Sequence, residues 1–515
     1  MKGLARNLYI PMLILALTAC VETGPSYDLI LKGGIIIDGS DTVSFVGDVA
    51  ISGDRIAAIG DLDSASASAV IDVTGLVVAP GFLNIHSHAT PEGLATAVNM
   101  LSQGVTTEII NADGFGTVDI QKQLASLNSG GLAINVGAMI GFNSAWQEVV
   151  GLDEVRPTGT QIEKMQSLIL RGLEAGAWGI SAGLDYVPGY YAKTKEVEEI
   201  LKPFSDWNVV FANHDRVTPE SNFSSITGMS ETIAIGETTG LIPLITHMKV
   251  QGWEQGSASI ILNLMRSAQT SFPGGAVADV YPYLAGQTGL QSLIIPSWAQ
   301  AGGRDAMLAR FKDSELRAQI ISEAERALEL RFGGSQGVFL LQTQRELTDA
   351  MEDLELESAG EAIIQLLEES SQYIIARFGI EADLVEIMQH PTASISCDCG
   401  ASTSDRIHPR YWGTYPKVLG EFVREKQKLT LENAIYKMSG LPAKTIGMDD
   451  RGFIQTGMVA DITVFNPDTV IDHATYDNPS QMSDGIIHTL VNGQLAWTNG
   501  KTTRLQAGRI LQRTR

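Results

Sequence analysis

The middle of this 515-residue chain alternates between two patterns of apolar residues. Short continuous apolar runs bounded by turn residues predict buried strands, and stretches with apolar residues three and four apart predict helices. The predicted strands are 81–85, 105–110, 132–138, 179–183, 208–212, 241–245, 277–280 and 394–397. Strands that alternate with helices predict a parallel α/β fold. Eight strands close a TIM-type (β/α)8 barrel, whose active site lies at the carboxyl ends of its strands.

The two ends of the chain carry a different pattern, in which short β-type runs are separated by turn residues. We expect residues 27–80 and 441–515 to form one small β-sandwich, with the barrel between them at 81–440. The connection between the seventh and eighth predicted strands is much longer than an ordinary loop. Its charged, helix-forming composition predicts a helical insertion at 298–393 that covers the barrel mouth as a lid.

The start of the chain matches a bacterial lipoprotein signal. A positively charged beginning precedes an apolar run that is too short for a membrane span, and residues 17–20 (LTAC) match a lipobox. We expect 1–19 to be a signal peptide, Cys20 to be lipidated and 20–26 to form a tether. The protein would then be periplasmic and lipid-anchored to the cell envelope, and Val21 after the cysteine favours the outer membrane.

Composition and charge narrow the range of partners. The net charge of −23 and the pI of about 4.7 argue against nucleic acid or an anionic membrane surface as a partner, because both require a basic face. The expected partner is a small-molecule substrate, and membrane contact is expected only through the lipid anchor. Three cysteines imply no disulfide framework. We expect Cys397 and Cys399 to be small buried residues that face away from Asp398, which lies between them on a strand.

Residues with metal-binding side chains end several of the predicted strands. They are His86, His88, Asp113, His214, His247 and Asp398. Four of the eight histidines in the chain fall in this set, and their convergence at a barrel mouth predicts a site for one or two divalent ions. Neutral imidazole and carboxylate suit Zn²⁺, with manganese, iron or nickel as other possibilities. Asp398 is placed to act as the base and later the acid for a metal-activated water.

A set of motifs along the chain resembles one enzyme family. The motifs are 79–82 (APGF), 86–88 (HSH), 103–107 (QGVTT), 246–249 (THMK), 279–286 (DVYPYLAG), 408–410 (HPR) and 457–461 (GMVAD). Together they resemble the amidohydrolase superfamily and, within it, the N-acyl-D-amino-acid deacylase (D-aminoacylase) family. The resemblance implies hydrolysis of N-acyl-D-amino acids, or of D-residue-containing peptides, to a carboxylate and a free D-amino acid, by metal-bound hydroxide with an Asp398 proton shuttle. It also implies that Lys249, Tyr281 and Arg410 bind the substrate carboxylate and acyl carbonyl.

The chain departs from this family after the second strand. Many members carry a metal-binding cysteine there, whereas this chain has Asp113, a harder ligand that is able to bridge two ions. Glu108, inside the strand, is a rival bridging residue, and we favour Asp113 because it lies beyond the strand end. The fourth strand, 179–183, has no lysine that could bridge two metals as a carbamate.

Two other functions are consistent with the same residues. A cyclic-amide hydrolase of dihydroorotase or hydantoinase type, or a dipeptidase, would use the same fold and metal. A lipoprotein that binds ligands on an inactive barrel would have lost metal ligands, and the chain retains every ligand that we identify. The acyl group, the preferred side chain, selectivity for D over L substrates, the identity of the metal and the oligomeric state stay open.

Overall fold

The computed structural model of the protein describes residues 26–514. At its centre lie eight parallel strands, which we number barrel strands 1–8 in chain order. They are Phe82–Ser87, Val105–Ile110, Asn135–Ala138 continued by Ile140–Gly141, Gly179–Gly183, Val210–His214, Ile242–Ile245, Val277–Val280 and Ala393–Ile395. Every residue in these strands is buried, as continuous apolar runs predict. The predicted α/β barrel fold is confirmed.

Two arcs of strands make up the barrel. Strands 1–3 form a three-stranded sheet, and the second half of strand 3 continues into a six-stranded sheet that ends at strand 8. The ring closes between strands 1 and 8, where a parallel bridge joins Ser87 to Cys399 and the His88 amide donates to the Cys399 carbonyl at 2.7 Å. The carboxyl ends of all eight strands therefore face one opening.

Helices follow the barrel strands and pack around them. They are Pro91–Leu94, Val98–Leu101, Ile120–Gly130, Phe142–Val149, Gly159–Glu174, Thr194–Leu201, Ser225–Thr239, Ala258–Ser267, Glu381–Gln389, Arg410–Lys417, Leu431–Met438 and Gly440–Ile446. The helix Gly159–Glu174 illustrates how the sequence specifies such a helix. Thr158 and Gln161 form a capping box at its start. Its buried Met165, Ile169 and Leu173 recur every four residues and face the barrel.

Both ends of the chain contribute to one nine-stranded sheet. Its strands are Ser26–Ile36, Phe45–Ser52, Arg55–Gly60, Ser66–Asp72, Val77–Pro80, Ile462–Phe465, Ile486–Val491, Gln494–Thr498 and Lys501–Thr502. The two contributions meet where Val77–Pro80 pairs antiparallel with Ile462–Phe465. The first strand begins at Ser26, so the last residue of the expected tether belongs to the sheet.

The insertion between barrel strands 7 and 8 differs from the expected all-helical segment. Its helices are Leu290–Ile294, Ser297–Gln300, Arg304–Phe311, Ser314–Phe332, Leu347–Asp353 and Ala359–Glu369. It also contains an antiparallel sheet of Ala285–Gly289, Val338–Leu340, Arg345–Glu346 and Tyr373–Arg377. Ala285–Gly289 lies before the predicted start at 298, and its partner Tyr373–Arg377 comes more than eighty residues later. Strands that pair across so many residues depend on their partner, so the local sequence pattern did not predict them.

The predicted signal peptide, the lipidation site at Cys20 and the expected tether up to residue 25 lie outside the described residues. Within residues 26–514, no helix combines the length and apolar character needed to cross a membrane.

Candidate metal centre and active-site cavity

The end of barrel strand 1 places two histidines beside two carboxylates. The His86 ring nitrogen Nε2 lies 3.4 Å from Asp113 Oδ1 and 3.4 Å from Asp398 Oδ1. The His88 Nε2 lies 3.1 Å from Asp398 Oδ1 and 3.4 Å from Asp113 Oδ2. Two ligands of one ion, each about 2.2 Å from it, are at most about 4.4 Å apart. These four side chains therefore fit one divalent cation.

A second group shares Asp113 with the first. His247 Nε2 lies 3.5 Å from Asp113 Oδ1, and His214 Nδ1 lies 3.8 Å from the same oxygen. The two imidazoles approach each other to 2.8 Å. Because Asp113 belongs to both groups, its carboxylate is placed to bridge two ions. All six residues predicted to bind metal are thus brought together.

Three of these residues have a left-handed backbone conformation. The φ angles are +55° at Asp113, +36° at His247 and +46° at Asp398. Such conformations cost non-glycine residues roughly 1–3 kcal/mol and occur preferentially at functional sites. Each of the three residues follows the end of a barrel strand. The left-handed conformation turns the backbone there and directs the side chain toward the candidate metal site.

Unpaired polar atoms support the binding of a cation. Three buried atoms of the candidate ligands have no hydrogen-bond partner among residues 26–514. They are both ring nitrogens of His86 and the Oδ1 oxygen of Asp113. Buried polar atoms without a partner are costly, and a bound ion would satisfy them. Asp279 completes the arrangement: its Oδ1 accepts a hydrogen bond from the His247 amide at 2.9 Å, and its Oδ2 lies 3.6 Å from His86 Nδ1. Such outer carboxylates orient metal-binding histidines.

The protonation states also suit a cation. Burial, reinforced by the neighbouring Lys249, lowers the pKa of His247 to about 3, so its imidazole is neutral. Burial alone would raise the pKa of Asp398, but Arg410 and the neighbouring histidines together outweigh burial and hold that pKa well below its ordinary value. The Arg410 Nη1 lies 2.6 Å from Asp398 Oδ2. Neutral imidazole and ionised carboxylate are the forms that bind metal.

Glu108, the rival bridging residue, lies outside both groups. Its carboxylate accepts hydrogen bonds from Asn84 Nδ2 at 3.0 Å and from the Ala401 amide at 3.1 Å. Burial raises its pKa to about 7. Glu108 therefore links barrel strand 1 to the loop after strand 8 and belongs to neither group of candidate ligands.

Comparisons with known proteins agree with this geometry. The amidohydrolase family matches residues 296–496. The D-aminoacylase of Alcaligenes xylosoxydans xylosoxydans is 33% identical over 516 residues, which cover 95% of this chain and 98% of that protein. A crystal structure of a D-aminoacylase superposes with a TM-score of 0.80 at 29% identity, covering 95% of this chain and all of the other. The N-acyl-D-glutamate deacylase of Bordetella bronchiseptica, solved with zinc and a phosphonate inhibitor, gives 0.78 at 26% identity with the same coverage. The chain belongs to the D-aminoacylase family of amidohydrolases.

In this member of the D-aminoacylase family, a cavity of about 840 Å³ opens above the candidate metal centre. The three predicted substrate-binding residues lie on its floor. Lys249 Nζ lies 2.8 Å from His247 Nδ1, and the Arg410 guanidinium lies 4.8 Å from the centre of the Tyr281 ring. The insertion supplies much of the remaining wall, with residues such as Gln287 and Phe332.

Two residues that the sequence analysis does not identify lie at the site, directly after barrel strand 4. The Tyr186 ring packs edge-on against His214 with the ring centres 4.4 Å apart, and it lines the cavity. Asp185 forms a buried ion pair with Arg331 of the insertion, and its Oδ2 lies 3.8 Å from His214 Nε2. The available signal was a pair of polar residues just past a strand end, the position where the other site residues lie.

The two cysteines are buried, as expected, but the expectation that they alternate along a strand, without a disulfide, was wrong. Cys397 and Cys399 are joined to each other by a disulfide. The alternation argument fails because barrel strand 8 ends at Ile395, so these residues follow the strand and turn.

Proposed function

We propose that this protein is a metal-dependent hydrolase that cleaves the amide bond of N-acyl-D-amino acids, releasing a carboxylate and a free D-amino acid. One observation carries the proposal: a single carboxylate, Asp113, is shared by two histidine pairs directly beside Asp398 on the cavity floor. The D-aminoacylase relative at 33% identity supports the choice of substrate.

The residues that would hold the cation are the six of the two groups. We propose zinc, as one or two ions, because imidazole and carboxylate ligands suit it and because a related deacylase structure contains zinc. When bound, the ion would make water nucleophilic near neutral pH and polarise the acyl carbonyl.

Asp398 would carry the proton. Its ionised carboxylate is placed to take a proton from the attacking water as the new carbon–oxygen bond forms. It would then deliver that proton to the nitrogen as the carbon–nitrogen bond breaks. The second proton of the water leaves the new carboxyl group and is taken up by the released amine, so that the products are a carboxylate and an ammonium group. The ion pair with Arg410 fixes the orientation of Asp398 for both steps.

The cations on the cavity floor would bind the α-carboxylate of the substrate. Arg410 is buried, and its Nε makes no hydrogen bond to any described residue, so the guanidinium retains a donor while Nη1 contacts Asp398. Lys249 adds a second positive charge on the same floor. The Tyr281 ring packs against the Arg410 guanidinium, and its phenol would donate a hydrogen bond to the acyl oxygen of the substrate.

A panel of matched N-acetyl-D- and N-acetyl-L-amino acids tests the proposal on zinc-loaded protein. We expect hydrolysis of D substrates and little of their L partners or of hydantoins. Asp398→Asn should lower kcat by about 10²–10⁴-fold, whereas Asp405→Asn, on the exposed loop beyond the cavity floor, serves as the matched control. Turnover of hydantoins without turnover of any N-acyl-D-amino acid would replace this proposal by a cyclic-amide hydrolase.

We also propose that the mature chain is lipidated at Cys20 and anchored to the cell envelope in the periplasm. A lipobox at residues 17–20 and a buried disulfide, which persists best in an oxidising compartment, support this location. Cys20→Ser should abolish labelling by a fatty-acid probe. Labelling that survives this substitution would reject the assignment.

A further inference from the structure

The Cys397–Cys399 disulfide encloses Asp398, the residue to which the proposed function gives the proton transfer. The Cα atoms of the two cysteines lie 4.9 Å apart, and only Asp398 separates them in the chain. Both cysteines are fully buried. A cross-link over so short a loop adds little to global stability, because the entropy it removes from the unfolded chain grows with loop length. Its main effect is therefore local.

The local effect falls on an unfavourable backbone conformation. Asp398 has a φ of +46°, in the left-handed region that non-glycine residues rarely adopt. Closing a ring through the residues on either side restricts the rotations by which Asp398 could leave that conformation. The rotation at Asp398 also determines where its carboxylate points relative to His88 and Arg410.

The ring is held against barrel strand 1 on both sides. The Cys397 amide donates to Asn84 Oδ1 at 3.1 Å, and the Cys399 carbonyl accepts from the His88 amide at 2.7 Å. Asn84 lies on barrel strand 1 and His88 directly follows that strand, so these two residues flank His86. The disulfide thus connects the position of Asp398 to the positions of both histidines.

We propose that the Cys397–Cys399 disulfide is a positioning element that keeps the Asp398 carboxylate in register with His86 and His88, so that full activity requires the oxidised form. This inference rests on the proposed function, which it deepens. Neither cysteine contacts substrate in this role; the cysteines act through Asp398.

Reduction by a water-soluble phosphine provides the test. The phosphorus lone pair attacks one sulfur and the S–S bond breaks, releasing the other as a thiolate that takes a proton. Water then converts the phosphorus–sulfur adduct to phosphine oxide and the second thiol. Two electrons pass from phosphorus to the disulfide, and a phosphine is a weaker zinc chelator than a dithiol.

The bond itself is measured without reference to activity. The full chain is denatured, alkylated with iodoacetamide before or after tris(2-carboxyethyl)phosphine, and digested, and the peptide containing both cysteines is weighed. We expect two alkyl groups on that peptide only after reduction. Two alkyl groups without reduction would overturn the proposal, whatever the enzyme hydrolyses.

The positioning role is measured on the native, metal-loaded enzyme. Reduction should lower kcat by roughly tenfold to a hundredfold, the scale of a 1 Å misplacement, with KM nearly unchanged because Lys249 and Arg410 are intact. Cys397→Ser/Cys399→Ser should match the reduced enzyme, respond no further to phosphine and retain a similar melting temperature. If this variant does not fold, reduction and reoxidation of the wild-type enzyme give the same comparison.

A reduced peptide with unchanged kcat would reject the positioning role. Absence of any deacylase activity before reduction would instead reject the proposed function.

Discussion

Asp113 shows how much a single residue contributes to this site. Its Oδ1 lies within 4 Å of ring nitrogens from His86, His214 and His247. These distances depend on the left-handed backbone conformation of residue 113. The sequence alone does not predict it, because an Asp-Gly pair is also typical of an ordinary turn. The position past the strand end favoured Asp113 over Glu108, and the structure places only Asp113 among the histidines.

The bridging geometry predicts the effect of removing this carboxylate. Asp113→Ala should weaken metal binding by at least about 100-fold, since even the partners of metal ligands are worth 10–100-fold. The bound metal per chain, measured by elemental analysis after dialysis, should fall. Glu108→Gln is the matched control and should retain its metal, because Glu108 contacts Asn84 and Ala401 instead. Loss of metal in the control alone would assign the bridge to Glu108.

At the scale of elements, the insertion is tied to the barrel by one buried ion pair. Arg331, near the end of the helix Ser314–Phe332, contacts Asp185 after barrel strand 4, and both side chains are almost fully buried. Arg331 also donates to the Leu293 carbonyl at 3.3 Å. The insertion therefore has a core of its own and a specific polar attachment beside His214.

Breaking this pair from one side should destabilise the attachment. Arg331→Met leaves Asp185 buried without its cation, a change that costs about 3–5 kcal/mol. We expect faster hydrogen exchange in the insertion and a lower free energy of unfolding in urea. Lys312→Met, at an exposed position of the insertion, should change stability by less than about 1 kcal/mol.

Adding Asp185→Asn to Arg331→Met removes the uncompensated charge and should restore part of the loss. If the single Arg331 variant exchanges like the wild-type protein, the pair is not what holds the insertion in place.

At the scale of the whole molecule, the end of the chain returns to the barrel. Asp461 accepts hydrogen bonds from Asn135 at 2.8 Å and from Arg451 at 2.9 Å, joining barrel strand 3 to the nine-stranded sheet. The helix Leu431–Met438 also returns: the buried Lys437 donates to the carbonyl of Ala393, the first residue of barrel strand 8, at 3.0 Å. These contacts connect the nine-stranded sheet and the late helix to the barrel.

Lys437 predicts a dependence of global stability on pH. Burial lowers its pKa from 10.5 to about 8. Between these values the unfolded chain binds a proton that the folded chain does not, so the contribution of Lys437 to stability rises with pH from 8 to 10.5, by about 3 kcal/mol in total. The free-energy difference between wild type and Lys437→Met should grow by that amount over the window. The free-energy difference should not change between pH 6 and 7.5. A difference that also stays constant up to pH 10.5 would contradict the lowered pKa of Lys437.

The sequence by itself determined the alternation of strands and helices, the histidine pair of barrel strand 1, and the strand ends where the other site residues lie. These follow from local properties: side-chain periodicity, residue propensity and the rule that parallel strands present their carboxyl ends together. Only the tertiary structure decided the sharing of Asp113, the Asp185–Arg331 pair, the strands of the insertion and the Cys397–Cys399 bond. Each of these depends on a backbone turn or on partners distant in the chain, and the free energy of such contacts is not encoded in any local stretch of sequence.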